Sequence, residues 1–178
     1  MSLKHTILGF LSWKNMTGYE IKKYFSQLEF IPWQGNNNQI YKTLLEIEKE
    51  EFVSKKTVLQ DNYPPQKVYS ITLKGMIELR NWVMSDPELP MTKNTFIMQL
   101  AWAGSMDNET IFRLIDKYQY ELQMKVSLLS EMLKRKTVLP DRSQKEAYIW
   151  EMLWHNRINL FQSEINWVTQ LRNGLVNK

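Results

Sequence analysis

The sequence predicts a mainly α-helical protein in two parts: an N-terminal part in which a β-hairpin sits among four helices, and a C-terminal part that is helical throughout. Three observations carry this reading. Apolar residues recur at three- and four-residue steps along most of the 178 residues. A single stretch, residues 53–72, changes to β-branched alternation. The segment MSDPELPMT, residues 84–92, holds two prolines and reads as a linker, so the domains are placed at 1–85 and 93–178. Six glycines and six prolines at 43% hydrophobic content fit a compact chain rather than a disordered one.

The first helix carries the stripe Leu3, Ile7, Leu8 and Leu11. KNMTGY then supplies a turn, with Thr17 as N-cap of a second helix whose inner face is Ile21, Phe25 and Leu28. Pro32 and Gly35 break the chain. Asn36 and Gln39, three residues apart, have the spacing of a capping box for a third helix, with Ile40, Leu44 and Ile47 inward. VSKKTVL and KVYSIT form two short strands around QDNYPPQ, and the Pro-Pro tip makes this hairpin too long for a two-residue turn. Thr72 caps a fourth helix, with Met76, Leu79 and Val83 expected inside.

In the C-terminal part a short helical segment runs from Phe96 to Ala103 and ends at Gly104. Asp107 opens a long helix through Ile111, Ile115, Tyr118, Leu122, Val126, Leu129 and Leu133. After LPDRS, another long helix carries Trp150, Trp154, Ile158, Phe161, Ile165 and Val168. Two such helices form an antiparallel hairpin whose apolar faces stay wet unless covered, and a second copy of the chain is the economical cover.

Composition narrows the function. Without cysteine there are no disulfides, thiolate-bound metals or thiol nucleophiles, which fits a reducing cytoplasm. His5 and His155 have no partners at metal-ligand spacing, so no metal or other cofactor is expected. No apolar run reaches the length of a membrane span. There is no nucleophile motif or glycine-rich phosphate loop, and EIEKEE reads as a solvated helix back, so the chain is not expected to be an enzyme. The net charge of +4 permits an anionic partner.

Three helices, a hairpin with a presented loop and a fourth helix are the order of a winged helix-turn-helix. ILGFLSWKNMTGYEIKKYF, NNNQIYKTLLEIEKEEFV and QKVYSITLKG, within residues 3–83, resemble the N-terminal domain of PadR-type transcriptional regulators. The specific pieces are Gly18-Tyr19-Glu20-Ile21, Gln39-Ile40-Tyr41 and Tyr69-Ser70-Ile71-Thr72-Leu73-Lys74-Gly75. The resemblance implies a third helix in the DNA major groove, a wing on the backbone or minor groove, and C-terminal helices that make a homodimer. The long C-terminal region is similar to the larger subgroup, which implies a repressor responsive to phenolic acids. Lys42 stands where that family usually has proline and adds a cation there.

Asn and Gln amides pair with adenine edges, and a recognition helix reaches bases through its first turn. Asn37, Asn38, Gln39, Tyr41 and Lys42 are therefore the candidate readers and clamps, although Asn36 and Gln39 also suit plain capping. Lys55, Lys56 and Lys67, with Tyr63 and Gln66 at the tip, place cations and polar groups on the wing, where phosphates pass. Lysines on a strand edge also guard against aggregation. Tyr19, starting the second helix, suits a phosphate contact or half-buried packing. Phe96, Met98, Trp102, Trp150 and Trp154 are candidates for a flat aromatic effector, although aromatic stripes at helical spacing are more often core or dimer packing. The competing reading of the whole is a winged-helix module that binds protein instead of DNA.

Overall fold

The computed structural model describes residues 2–28, 31, 37–60, 63–89, 94–135, 140 and 142–176. They fall into two compact units, 1–87 and 88–178.

In the first unit α1 (Leu3–Leu11) leads to β1 (Met16–Thr17) and directly into α2 (Gly18–Gln27). Thr17 caps α2 reciprocally: its hydroxyl accepts from the Glu20 amide at 3.2 Å, and the Glu20 carboxylate accepts from the Thr17 amide at 2.8 Å. The expected Asn36 cap lies outside the described residues, as do Pro32 and Gly35. Helix α3 (Asn37–Lys49) buries Ile40, Leu44 and Ile47 against Ile7, Leu8, Leu11, Ile21 and Phe25. It ends in a Schellman turn, with Glu51 N–H donating to Glu48 O and Phe52 N–H to Ile47 O, both at 2.9 Å. Glu51 occupies the left-handed position at φ 61°, a place that usually goes to glycine.

Strands β2 (Val53–Gln60) and β3 (Tyr63–Ile71) form the wing. The sheet order is β1-β3-β2, so β3 is central and the two-stranded wing gains a short third strand. Gln60 pairs with Tyr63, which leaves residues 61 and 62 between the strands and corrects the expected longer tip. Pro64 and Pro65 are part of β3. Here β1, which reaches only Val68 and Tyr69, leaves one edge of β3 open, so the missing proline N–H costs no ladder bond on that side. A register shift between Val58 and Gln60 takes up the remaining mismatch.

Helix α4 (Leu73–Val83) is capped by Thr72, whose hydroxyl also donates to Glu51 O at 2.7 Å. Its inner face is one residue off the expected one. Met76 and Val83 are exposed and Leu79 is half-buried, whereas Gly75, Glu78 and Trp82 make the contacts. A side chain at Gly75 would run into the Phe52 carbonyl oxygen. Glu78 takes Lys4 at 2.6 Å and His5 at 3.1 Å, and the His5 ring stacks on Trp82 at 4.8 Å. A face made of glycine and carboxylate is invisible to apolar periodicity.

In the second unit α5 (Thr95–Ala101) is followed by a 3-10 turn (Ala103–Ser105), α6 (Asn108–Lys134) and α7 (Gln144–Val176). Asp107 caps α6 as expected. Gln119 bonds Thr169 at 3.1 Å and Asp116 pairs with Arg172 at 2.7 Å, which makes α6 and α7 antiparallel. Phe96, Ala103, Ile111, Ile115, Leu122, Ile165 and Val168 form the core. Asn94 caps α5 and also donates to Tyr118 Oη and Glu164 at 3.0 Å, tying α5 to both long helices. No helix of the described residues is long and apolar enough to cross a membrane.

Candidate nucleic-acid interface

With Ile40, Leu44 and Ile47 committed to the core, the opposite side of α3 presents Asn38, Gln39, Tyr41, Lys42 and Leu45, all exposed. Asn37 opens the helix, and its side chain lies outside what the structure describes. The Tyr41 ring lies over Gly18, where a Cβ would meet its Cε1 at 2.5 Å. Glycine at the start of α2 is thus what lets α2 and the Tyr41 ring approach. Tyr19, at 69% exposure, projects beside it.

Strand alternation sorts the wing residues. Lys55 and Lys67 stand opposite Tyr69 and Thr57, on the same face as buried Val53. Lys56 and Gln66 belong to the other face. The expected lysine pair is therefore split. Lys55 is moreover held by Glu48 of α3 at 2.8 Å, and that hydrogen bond is the largest cause raising its pKa above the ordinary lysine value. Lys42 pairs with Glu46 at 3.9 Å. Lys56 and Lys67 have no ion pair among the described residues. Tyr63 opens β3, with its side chain outside the described set.

Between α3, the start of α2 and β3 lies an open cleft of about 440 Å³, lined by Thr17, Gly18, Tyr19, Tyr41, Leu45, Pro65, Gln66, Lys67 and Tyr69. It brings together four of the expected residues: Tyr19, Tyr41, Gln66 and Lys67. Sequence reasoning missed Leu45, Pro65 and Tyr69. The alternation of 65, 67 and 69 along β3 was the available signal, obscured by reading the prolines as a tip. The chemistry of this face is amide donors and acceptors, phenols and cations, with the positive end of α2 at the cleft.

The aromatic candidates of the second unit do not share one environment. Phe96 is buried and stacked on Tyr118 at 3.9 Å, and Trp154 is 2% exposed. Met98 is exposed and Trp102 is 78% exposed, while Trp150 is half-buried. Packing thus occupies Phe96 and Trp154.

Comparison with known proteins agrees with this geometry. Residues 7–81 match the transcriptional regulator PadR-like family, and residues 92–175 match the family described as virulence activator alpha C-term. The negative transcriptional regulator PadR of Bacillus subtilis is 28% identical over 131 residues, 73% of this chain and 70% of that protein. The crystal structure of Bacillus subtilis PadR in complex with operator DNA superposes with a TM-score of 0.85 at 22% identity, covering 96% of this chain and 97% of the other. The same protein in complex with p-coumaric acid gives 0.79 at 21% identity, with 99% of each chain covered. These relatives are regulators of transcription and not enzymes. With one family match on the winged unit and the other on the helical unit, this chain belongs to the PadR-like transcriptional regulators with a long C-terminal helical region.

Proposed function

We propose that the chain is a homodimeric repressor, acting in the cytoplasm, that binds a two-fold operator and releases it when a small aromatic effector binds. The observation that carries the reading is the exposed edge of α3, where Asn38, Gln39, Tyr41 and Lys42 occupy the first two turns clear of the core. Asn37 extends that edge. Tyr19, Gln66 and Lys67 flank it across the cleft, and Lys56 and Tyr63 extend it along the wing. Lys55 contributes only if a phosphate displaces Glu48. The PadR relative was solved with operator DNA and is named a negative regulator, which supports both the partner and the sign.

The dimer is supported by apolar residues left exposed on the long helices. Tyr120, Met124 and Leu128 stand at four-residue steps on α6, and Ile149, Met152 and Leu160 are exposed on α7 at steps of three and eight. A second copy covers them and sets two recognition helices roughly 34–36 Å apart, one turn of duplex. An effector acts only through different affinity for the two arrangements of such a dimer. The p-coumaric acid complex of the relative supports a phenolic acid as effector. Among the aromatic candidates, Met98, Trp102 and Trp150 retain exposed surface for it, while Phe96 and Trp154 act by packing.

Fluorescence anisotropy with the DNA upstream of the protein's own coding region, against a scrambled duplex and at several salt concentrations, tests the reading. Tighter binding to the upstream fragment that persists as salt rises is expected. Lys42→Ala weakens all duplexes and reduces the salt slope by about 1.8, two phosphates per dimer, whereas Asn38→Ala relaxes preference at one base position in each half-site. Equal, weak binding that vanishes with salt counts against this operator. No binding to any DNA shifts the function to recognition of a protein partner.

A further inference from the structure

Tyr69 is 4% exposed, yet it lines the cleft, and its hydroxyl has no hydrogen-bond partner among the described residues. A phenylalanine would fill the same space. The hydroxyl feels the charges of Lys55 and Glu48 but keeps its donor free of a hydrogen bond among the described residues. Lys55, directly across the strand pair from Tyr69, is engaged by Glu48. Around the cleft stand Lys67 and the phenol of Tyr19, which favour an anion, while Leu45 and Pro65 supply apolar wall. A sugar-phosphate strand has this combination of chemistry, and the cleft is continuous with the exposed edge of α3.

We propose that Tyr69 is a DNA-binding residue whose phenol donates to one backbone phosphate of the operator, seated in the cleft between α3 and β3 beside Lys67 and the start of α2. Such a contact fixes the depth and register of the recognition helix and carries no base preference. Burial, the largest cause, pushes the Tyr69 phenol above its ordinary pKa, so it remains a donor. The inference rests on the DNA-binding reading above.

The test compares the full-length protein with Tyr69→Phe on the upstream and scrambled duplexes. Tyr69→Phe should weaken both by about tenfold, with an unchanged salt slope because a phenol is neutral and with an unchanged melting temperature. Lys67→Gln should instead reduce the slope by about 1.8, one phosphate for each protomer. Replacing single phosphates of the duplex by uncharged methylphosphonates repeats the test on the unaltered protein. One position in each half-site should weaken the wild type strongly and Tyr69→Phe much less. Wild-type binding to DNA with Tyr69→Phe equally tight, or a methylphosphonate scan in which no position distinguishes the two proteins, overturns the inference and leaves the DNA reading standing. A wild type that binds neither duplex removes both. If inorganic phosphate, exchanged for chloride at constant ionic strength, raises the melting temperature of the wild type and not of Tyr69→Phe while leaving DNA binding of the wild type unchanged, the cleft holds a free anion and the assignment to a backbone phosphate fails.

Discussion

Replacing Gly18 by alanine tests the packing that holds Tyr41 at the interface. A Cβ at position 18 sits 2.5 Å from Cε1 and 3.2 Å from Cζ of Tyr41. Ordinary contact begins at 3.4 Å, so the ring has to withdraw by about 0.9 Å. Tyr41 is 47% exposed and its ring can turn aside, so the cost falls at the low end of overpacking, roughly 1 kcal/mol. Gly18 has no positive φ, so alanine fits its backbone. Once Tyr41 is truncated to alanine the clash is gone, and the lower entropy of the unfolded chain should make Gly18→Ala stabilising by about 0.4–1 kcal/mol. The sign therefore reverses between the two backgrounds, which is a coupling of roughly 1.4–2 kcal/mol. Urea unfolding of the wild type, both single variants and the double variant measures it. A Tyr41→Phe background, which keeps the ring, should keep the cost. On DNA the same displacement takes a hydrogen bond of typical length, about 2.9 Å, out of range, and weakens binding about tenfold wherever Tyr41 contacts a phosphate. An equal cost of Gly18→Ala in all three backgrounds would refute the placement of the ring.

Glu51→Gly should raise the urea midpoint, because relief of the left-handed backbone is worth about 1 kcal/mol and exceeds the exposed ion pair with Lys74 that it removes. A lowered midpoint would show that the Lys74 pair matters more than the backbone. Glu48→Gln frees Lys55 for phosphate in both protomers, so the slope of log K against log salt should steepen by about 1.8 and DNA binding should tighten at low salt. The Glu78 carboxyl is held below the usual carboxylate range by hydrogen bonds from Lys4 first and His5 second. Its folded pKa is depressed, so the stabilisation is present above the unfolded carboxylate value and is lost as pH falls through the folded one. The loss of melting temperature between neutral pH and acid pH should accordingly be smaller in Glu78→Gln than in the wild type.

Much of the winged unit was legible because its core obeys helical spacing. Ile21, Phe25, Ile40, Leu44 and Ile47 are buried as their spacing requires, and Thr17, Thr72 and Asp107 cap the helices they precede. What escaped has definite physical causes. Strand β1 is two residues long and exists only because Val68 and Tyr69 offer it an edge, information that lies far along the chain. Pro64 and Pro65 resemble a turn locally and are tolerated in a strand by the open edge beside them. The contacts of α4 run through Gly75 and Glu78, which have no apolar signature. At the interface, the residue types on α3 pointed to a polar face, but the split of Lys55 from Lys56 and the engagement of Lys55 by Glu48 depend on register and on a cross-element ion pair. Tyr69 is only one residue of a strand in the sequence, and its hydroxyl stands out as lacking a hydrogen bond only once the neighbours are placed.

The bridge between β1 and β3 has a consequence for synthesis. Met16 pairs with Tyr69 and Thr17 with Val68, and Thr17 is also the cap of α2. The nucleus of the second helix is thus stitched to a strand that emerges from the ribosome some fifty residues later. Contacts of such long sequence separation close slowly and late. The first three helices are expected to stay loosely organised on the ribosome until residue 71 has cleared the exit tunnel, and then to lock in one step as Thr72 caps α4 against Glu51 and Phe52. A nascent chain stalled before the second wing strand should remain protease-sensitive throughout α2, whereas one stalled after α4 should be resistant.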